Sequence, residues 1–190
     1  FDVLYEDKDI LIVNKPPFVA SQPGTGVEHH NLVSMAASYL KGSTTKPAPA
    51  NRIDRGTSGI VVMGKHPRAM RALFHLFKER HVEKQYLALV VGRPPQNTGT
   101  ITSFLKRTTE KFQHKMDVVP SHEKDAVTAE LVYTVLHHTP RFSLLSITMK
   151  TGRMHQIRAQ LAAMDMPILG DRVYGDKEAN KPYAQMLRRQ

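Results

Sequence analysis

Asn51-Arg52-Ile53-Asp54-Arg55-Gly56-Thr57-Ser58-Gly59 sets one carboxylate between two arginines, directly ahead of an apolar run. Guanidinium groups beside a carboxylate favour its ionised form, so Asp54 reads as a charged group available as a nucleophile or an electrostatic partner. An ordinary surface ion pair would use the same residue types, and composition leaves both readings open. The second concentration of chemistry is Thr151-Gly152-Arg153-Met154-His155-Gln156-Ile157-Arg158. It puts Arg153, His155 and Arg158 in the first turns of an expected helix, with Arg158 on the His155 face and Ile157 toward the core. Such a set can hold a phosphate or a carboxylate, or be a solvated basic helix start.

Other apparent motifs carry less. Gly59 to Lys65 has the spacing of a phosphate-binding loop, but His66 stands where Ser or Thr is needed, and β-branched residues fill the interval. His29-His30 and His137-His138 lack the i, i+4 spacing of a helical metal site, so no metal is expected.

The elements that must position these residues are legible from patterning. Residues 3–14 form two short apolar runs around Glu6-Asp7-Lys8-Asp9, a hairpin stopped by Lys15-Pro16-Pro17. Asn31 is placed to cap a helix over 32–40. Residues 60–63 are a β-branched run suited to a strand buried on both faces. Pro67 opens a helix with Met70, Leu73, Phe74 and Phe77 toward the sheet and Arg68, Arg71, Lys78 and Arg80 around them. Residues 86–91 read as a strand, 100–119 as a lysine-rich extended excursion, and 127–135 as a half-buried strand whose antiparallel partner is 142–149. The final helix carries an apolar stripe of Ile157, Leu161 and Met164. Strands without regular helix alternation predict an α+β fold with a mixed, largely antiparallel central sheet and a few flanking helices, in a single domain over 1–190.

The 190 residues contain 27 Lys plus Arg against 17 Asp plus Glu, a formal charge of +10 spread along the chain. Such a field attracts polyanions, nucleic acid first, although a protein can be basic without such a partner. The absence of cysteine excludes disulfides, thiolate zinc sites and a cysteine nucleophile, and suits a reducing compartment. No apolar run approaches the roughly 20 residues that span a bilayer, so no membrane partner is expected.

Five ordered segments resemble the RluA-type family of pseudouridine synthases: Ile12-Val13-Asn14-Lys15-Pro16; Arg52-Ile53-Asp54 with Thr57-Ser58-Gly59; Lys84-Gln85-Tyr86-Leu87-Ala88; the 151–158 run; and Pro167-Ile168-Leu169-Gly170-Asp171 before Tyr174-Gly175. The resemblance implies the pseudouridine synthase fold, with an active site in a central cleft and no metal or organic cofactor. It makes Asp54 the catalytic aspartate, Tyr86 the tyrosine lining the pocket and Arg158 the arginine paired with the aspartate. Arg52 would enter the RNA stack, and Lys15, Arg55, Arg153 and His155 would contact RNA. The partners implied are ribosomal or transfer RNA, with ribosomal assembly intermediates, in a cytoplasmic or mitochondrial setting. Asn51 replaces the family's usual histidine, and the chain reaches Gln190 where family members continue with further strands, so a piece of a longer protein is expected. A synthase-like RNA-binding or ribosome-assembly factor without turnover is the alternative.

Overall fold

The first apolar runs form the expected hairpin, β1 (Asp2–Glu6) pairing antiparallel with β2 (Ile10–Lys15). The computed structural model describes residues 1–24, 26–41, 45–108 and 115–183, which divide into two compact units between Val82 and Glu83.

In the first unit the sheet order is β1-β2-β4-β3, with β3 at Ala48–Pro49 and β4 at Gly59–Gly64. Strand period places Leu11, Val13 and Lys15 of β2 on one face, and Val61 and Met63 of β4 beside them. Helix α1 (Leu32–Tyr39) covers that face with Leu32 and Ala36, one turn apart. Asn31 caps it as expected, accepting from the Ser34 amide at 3.0 Å. The β4 run is not buried on both faces: it alternates, and Ile60 is 60% exposed.

Helix α2 (Pro67–Lys78) begins at the expected proline. His66 caps it through Nδ1, which accepts from the Ala69 amide, and the opposite ring nitrogen then donates to Asp9 at 2.8 Å. Gly64 lets helix and strand approach: a Cβ there would lie 2.7 Å from Met70 Sδ. The expected apolar stripe is narrower than the spacing predicts. Ala69, Leu73 and Phe77, at i, i+4 and i+8, centre the packed face, while Phe74 lies about 100° round from Leu73 and is 59% exposed.

The second unit holds β5 (Gln85–Val91), β6 (Thr98–Arg107), β7 (Met116–Val119), β8 (Val127–His138) and β9 (Phe142–Met149), in the order β5-β9-β8-β6-β7. The lysine-rich excursion expected over 100–119 is instead largely sheet, with β6 and β7 paired across Phe104–Val119 to Arg107–Met116; its tip, 109–114, lies outside the described residues. The alternation of β6 is masked in sequence because one inward position between buried Ile101 and Leu105 is Ser103. That hydroxyl accepts from Gln160 of α3 (Gln156–Ala162) at 2.9 Å, and the same amide group donates to the Ile101 and Ala129 carbonyls. Leu161 and Ile157 enter the core with Val90, Leu131, Leu145 and Ile147, whereas Met164 falls beyond the helix and is 38% exposed. A short helix, α4 (Lys177–Asn180), follows.

The α+β class stands, with the strands shared between two antiparallel sheets; a lone Ala20–Asn31 bridge is parallel. Among the described residues no helix is long and apolar enough to cross a membrane.

Candidate active site

The loop bearing Asp54 is built on the chain that leaves β2. Asn51 starts it by acting as a substitute strand residue: Oδ1 accepts from the Val62 amide at 2.8 Å and Nδ2 donates to the Ile60 carbonyl at 3.1 Å. Ser21, buried, brackets Ile53 by accepting from its amide at 3.2 Å and donating to its carbonyl at 2.7 Å. On the other side, Arg55 Nε donates to the Phe18 carbonyl at 2.9 Å, and the Thr57 amide closes a turn onto the Asp54 carbonyl at 3.0 Å. Asp54 is therefore held from both neighbours and is half-buried; Arg52 and Arg55 are exposed.

Lys15 occupies a different place from the RNA contact expected of it. As the third inward residue of β2 it is 0% exposed, and its ammonium donates to the carbonyls of Pro16 at 2.9 Å, Val19 at 2.7 Å and Arg55 at 3.3 Å. A group enclosed by three main-chain oxygens cannot reach a phosphate; it ties the Asp54 loop to the end of β2. Burial drops its pKa to about 8, and the Asp54 charge offsets part of that fall.

In the second unit Tyr86 lies near the start of β5, half-buried on the face that also carries Ala88 and Val90, and packs against the core cluster containing Ile147 and Leu161. The 151–158 run is mostly a turn, with the helix beginning only at Gln156. Gln156, buried, organises that turn: its Oε1 accepts from Thr151 Oγ1 at 2.8 Å and the Arg153 amide at 3.0 Å, and its Nε2 donates to the Glu130 carbonyl at 3.0 Å. Arg153 is exposed, with Nε on the Thr128 carbonyl at 3.1 Å.

His155 precedes the helix in the left-handed region, at φ 51°. Its Nδ1 lies 3.1 Å from the Tyr174 hydroxyl, which also accepts from the Met116 amide at 2.7 Å. Burial raises the Tyr174 pKa, in keeping with a protonated phenol. Arg158 stacks over the Tyr174 ring, 5.0 Å from its centroid, and grips Asp171 through Nε at 2.7 Å and Nη2 at 3.0 Å. Burial pushes the Asp171 carboxyl up, but the Arg158 hydrogen bonds and the amides of Val173 and Tyr174 outweigh it and leave the pKa lowered.

Asp54, Arg52, Arg55 and Lys15 thus lie in the first unit, and Tyr86, Arg153, His155 and Arg158 in the second. Reading residue types missed four participants. Asp171 and Tyr174 sat in a recognisable segment without a role, Gln156 sat in another, and Ser21 had no signal at all. Among the described residues no group of three or more His, Cys, Asp or Glu side chains is arranged to hold a metal ion.

A sequence model of the RNA pseudouridylate synthase family matches residues 9–163. The chain is 32% identical over 180 residues to ribosomal large subunit pseudouridine synthase D of Borreliella burgdorferi, covering 91% of this chain and 54% of that protein. It is 31% identical over 186 residues to ribosomal large subunit pseudouridine synthase C of Rickettsia prowazekii, covering 97% and 59%. It thus spans little more than half the length of these curated relatives. The solved structure of human RNA pseudouridylate synthase domain containing 1 matches with a TM-score of 0.80 at 26% identity, over 95% of this chain and 72% of that one. By sequence and by fold, the chain belongs to the RNA pseudouridylate synthase family.

Proposed function

We propose that this chain is the catalytic part of an enzyme that converts uridine to pseudouridine in large-subunit ribosomal RNA, its two units acting as one catalytic domain with Asp54 as the catalytic residue. The observation that carries the reading is the support of Asp54: Ile53 is bonded to Ser21 on one side, and Arg55 to Phe18 and Lys15 on the other. A reacting carboxylate must be held to a fraction of an ångström, and this loop has that restraint in a member of the family.

In this mechanism the uridine leaves the RNA stack at a cost of a few kcal/mol, offset by contacts from the basic surface, and Arg52 fills the gap. The Asp54 carboxylate attacks either the ribose C1′ or the uracil C6. The C1′–N1 bond breaks, the base turns, C1′–C5 forms and the bond to Asp54 breaks as its carboxylate leaves; C5 gives up its proton and N1 gains one, so the composition is unchanged and Asp54 is restored. Tyr86 stacks on the uracil and relays the C5 proton. Arg158, with Asp171 on its guanidinium, supplies positive charge to the reaction. Arg55, Arg153 and His155 contact the backbone.

The test is incubation with unmodified large-subunit rRNA transcribed in vitro, followed by mapping of pseudouridine. Asp54→Asn is expected to lower the rate by at least about 10³-fold while RNA affinity stays within about twofold. An unchanged rate in that variant overturns the assignment. Tight RNA binding by the wild type with no product would instead mark a factor that binds RNA or assists ribosome assembly without turnover.

A further inference from the structure

We propose that the outward face of α2 is a docking surface for the RNA backbone, with Phe74 as a platform for one unpaired base. The inference rests on the synthase reading for the identity of the RNA. Arg68, Arg71, His75 and Lys78 follow one another at intervals of three, four and three residues, and at about 100° per residue they share one stripe of the helix. All four are exposed, and no ion pair among the described residues engages Arg68, Arg71 or Lys78. No acidic residue lies between Pro67 and Lys78. Arg80, in the left-handed conformation at φ 59°, adds another exposed cation as the helix closes.

The geometry fits a nucleic-acid strand. Ten residues from Arg68 to Lys78 span about 15 Å, long enough to follow a few successive phosphates of one strand. Phe74 lies beside this stripe, edge-to-face with His75 at 6.2 Å between ring centroids, and its 59% exposure leaves ring surface on which a base can stack. An apolar protein groove fits poorly, because the other large exposed apolar residue of α2, Leu76 at 43%, lies about 160° round the helix on the far side of the cations. The surface is rigid before RNA arrives: His66 caps the helix, and Gly64 admits Met70 against the end of β4.

The experiment measures binding of the full chain to a 20-nucleotide uridine strand and to a 20-base-pair RNA duplex across a salt series, with modification of unmodified rRNA as a separate readout. In Arg68→Ala/Arg71→Ala/Lys78→Ala the slope of log affinity against log salt should flatten by about 2 for the single strand, from three lost phosphate contacts. Phe74→Ala should weaken single-strand binding about 5- to 100-fold and leave duplex binding unchanged. All these side chains lie at the surface, so thermal unfolding should stay within about 2 °C of wild type. A triple variant with wild-type slope and affinity, or a Phe74→Ala variant that binds both RNAs as wild type does, overturns the docking surface. The two readings fail separately: a flattened slope in a protein that makes no pseudouridine sinks the synthase, and full modification with an unchanged slope sinks only the surface.

Discussion

Lys15 donates a hydrogen bond to the main-chain carbonyl of Arg55, 40 residues further along the chain, at 3.3 Å. The same ammonium holds the carbonyls of Pro16 and Val19, so one buried cation fastens the end of β2, the following turn and the residue next to Asp54. Ser21 completes the fastening at Ile53.

Lys15→Met keeps the apolar stem and strands three carbonyls. Each unsatisfied acceptor costs about 1–3 kcal/mol, partly relieved by relaxation and by the loss of a buried charge, so stability should fall by about 2–5 kcal/mol in urea titrations. Pseudouridine formation should fall further than stability explains, with kcat affected more than KM. A variant as stable and active as wild type would show the tether to be idle.

The low pKa of Lys15 sets a pH dependence with a definite sign. The folded chain gives up this proton near pH 8, whereas an unfolded lysine holds it to about 10.4. Between those values the unfolded state binds more protons, so the contribution of this residue to stability rises with pH through the window. The difference in unfolding free energy between wild type and Lys15→Met, measured from pH 7 to 10.5, should move in favour of the wild type above pH 8. A flat difference contradicts the burial.

Asp171→Asn removes the carboxylate that Arg158 grips in bidentate fashion. The Asp171 side chain is 5% exposed and that of Arg158 20%, so the expected loss is about 2–4 kcal/mol, discounted from a fully buried pair. Because the folded pKa of Asp171 is lowered, its stabilisation is present above the ordinary carboxylate range and disappears as pH falls through the folded value. The gap between wild type and variant should therefore close in acid. A gap that persists undiminished there would mean that the pair is not ionic.

Gly175→Ala tests how the chain wraps Asp171. A Cβ at Gly175 would come within 2.0 Å of the Asp171 carbonyl oxygen and 2.8 Å of Asn180 Nδ2, so the loop must move, at a cost of at least about 2 kcal/mol. Gly56→Ala, where a Cβ meets nothing within 4 Å, should change stability by less than about 0.5 kcal/mol. Equal effects in thermal unfolding would reject this account.

Local pattern was enough for the β1–β2 hairpin, the Asn31 cap, the Pro67 helix start and the β8–β9 pair, because caps, prolines and strand period act over a few residues. The identity of the chain was also legible, since ordered short segments around Asp54, Tyr86 and Arg158 survive without any knowledge of contacts. Tertiary structure alone decided what Lys15, Ser21, Gln156 and Asp171 do. Their partners lie 40, 32, 26 and 13 residues away, and nothing in a linear string reports which group a folded chain will bring to a buried donor or acceptor. It also turned Lys15 from an expected surface cation into an interior one: a strand that points Leu11 and Val13 inward must point the residue two further on the same way, whatever its charge.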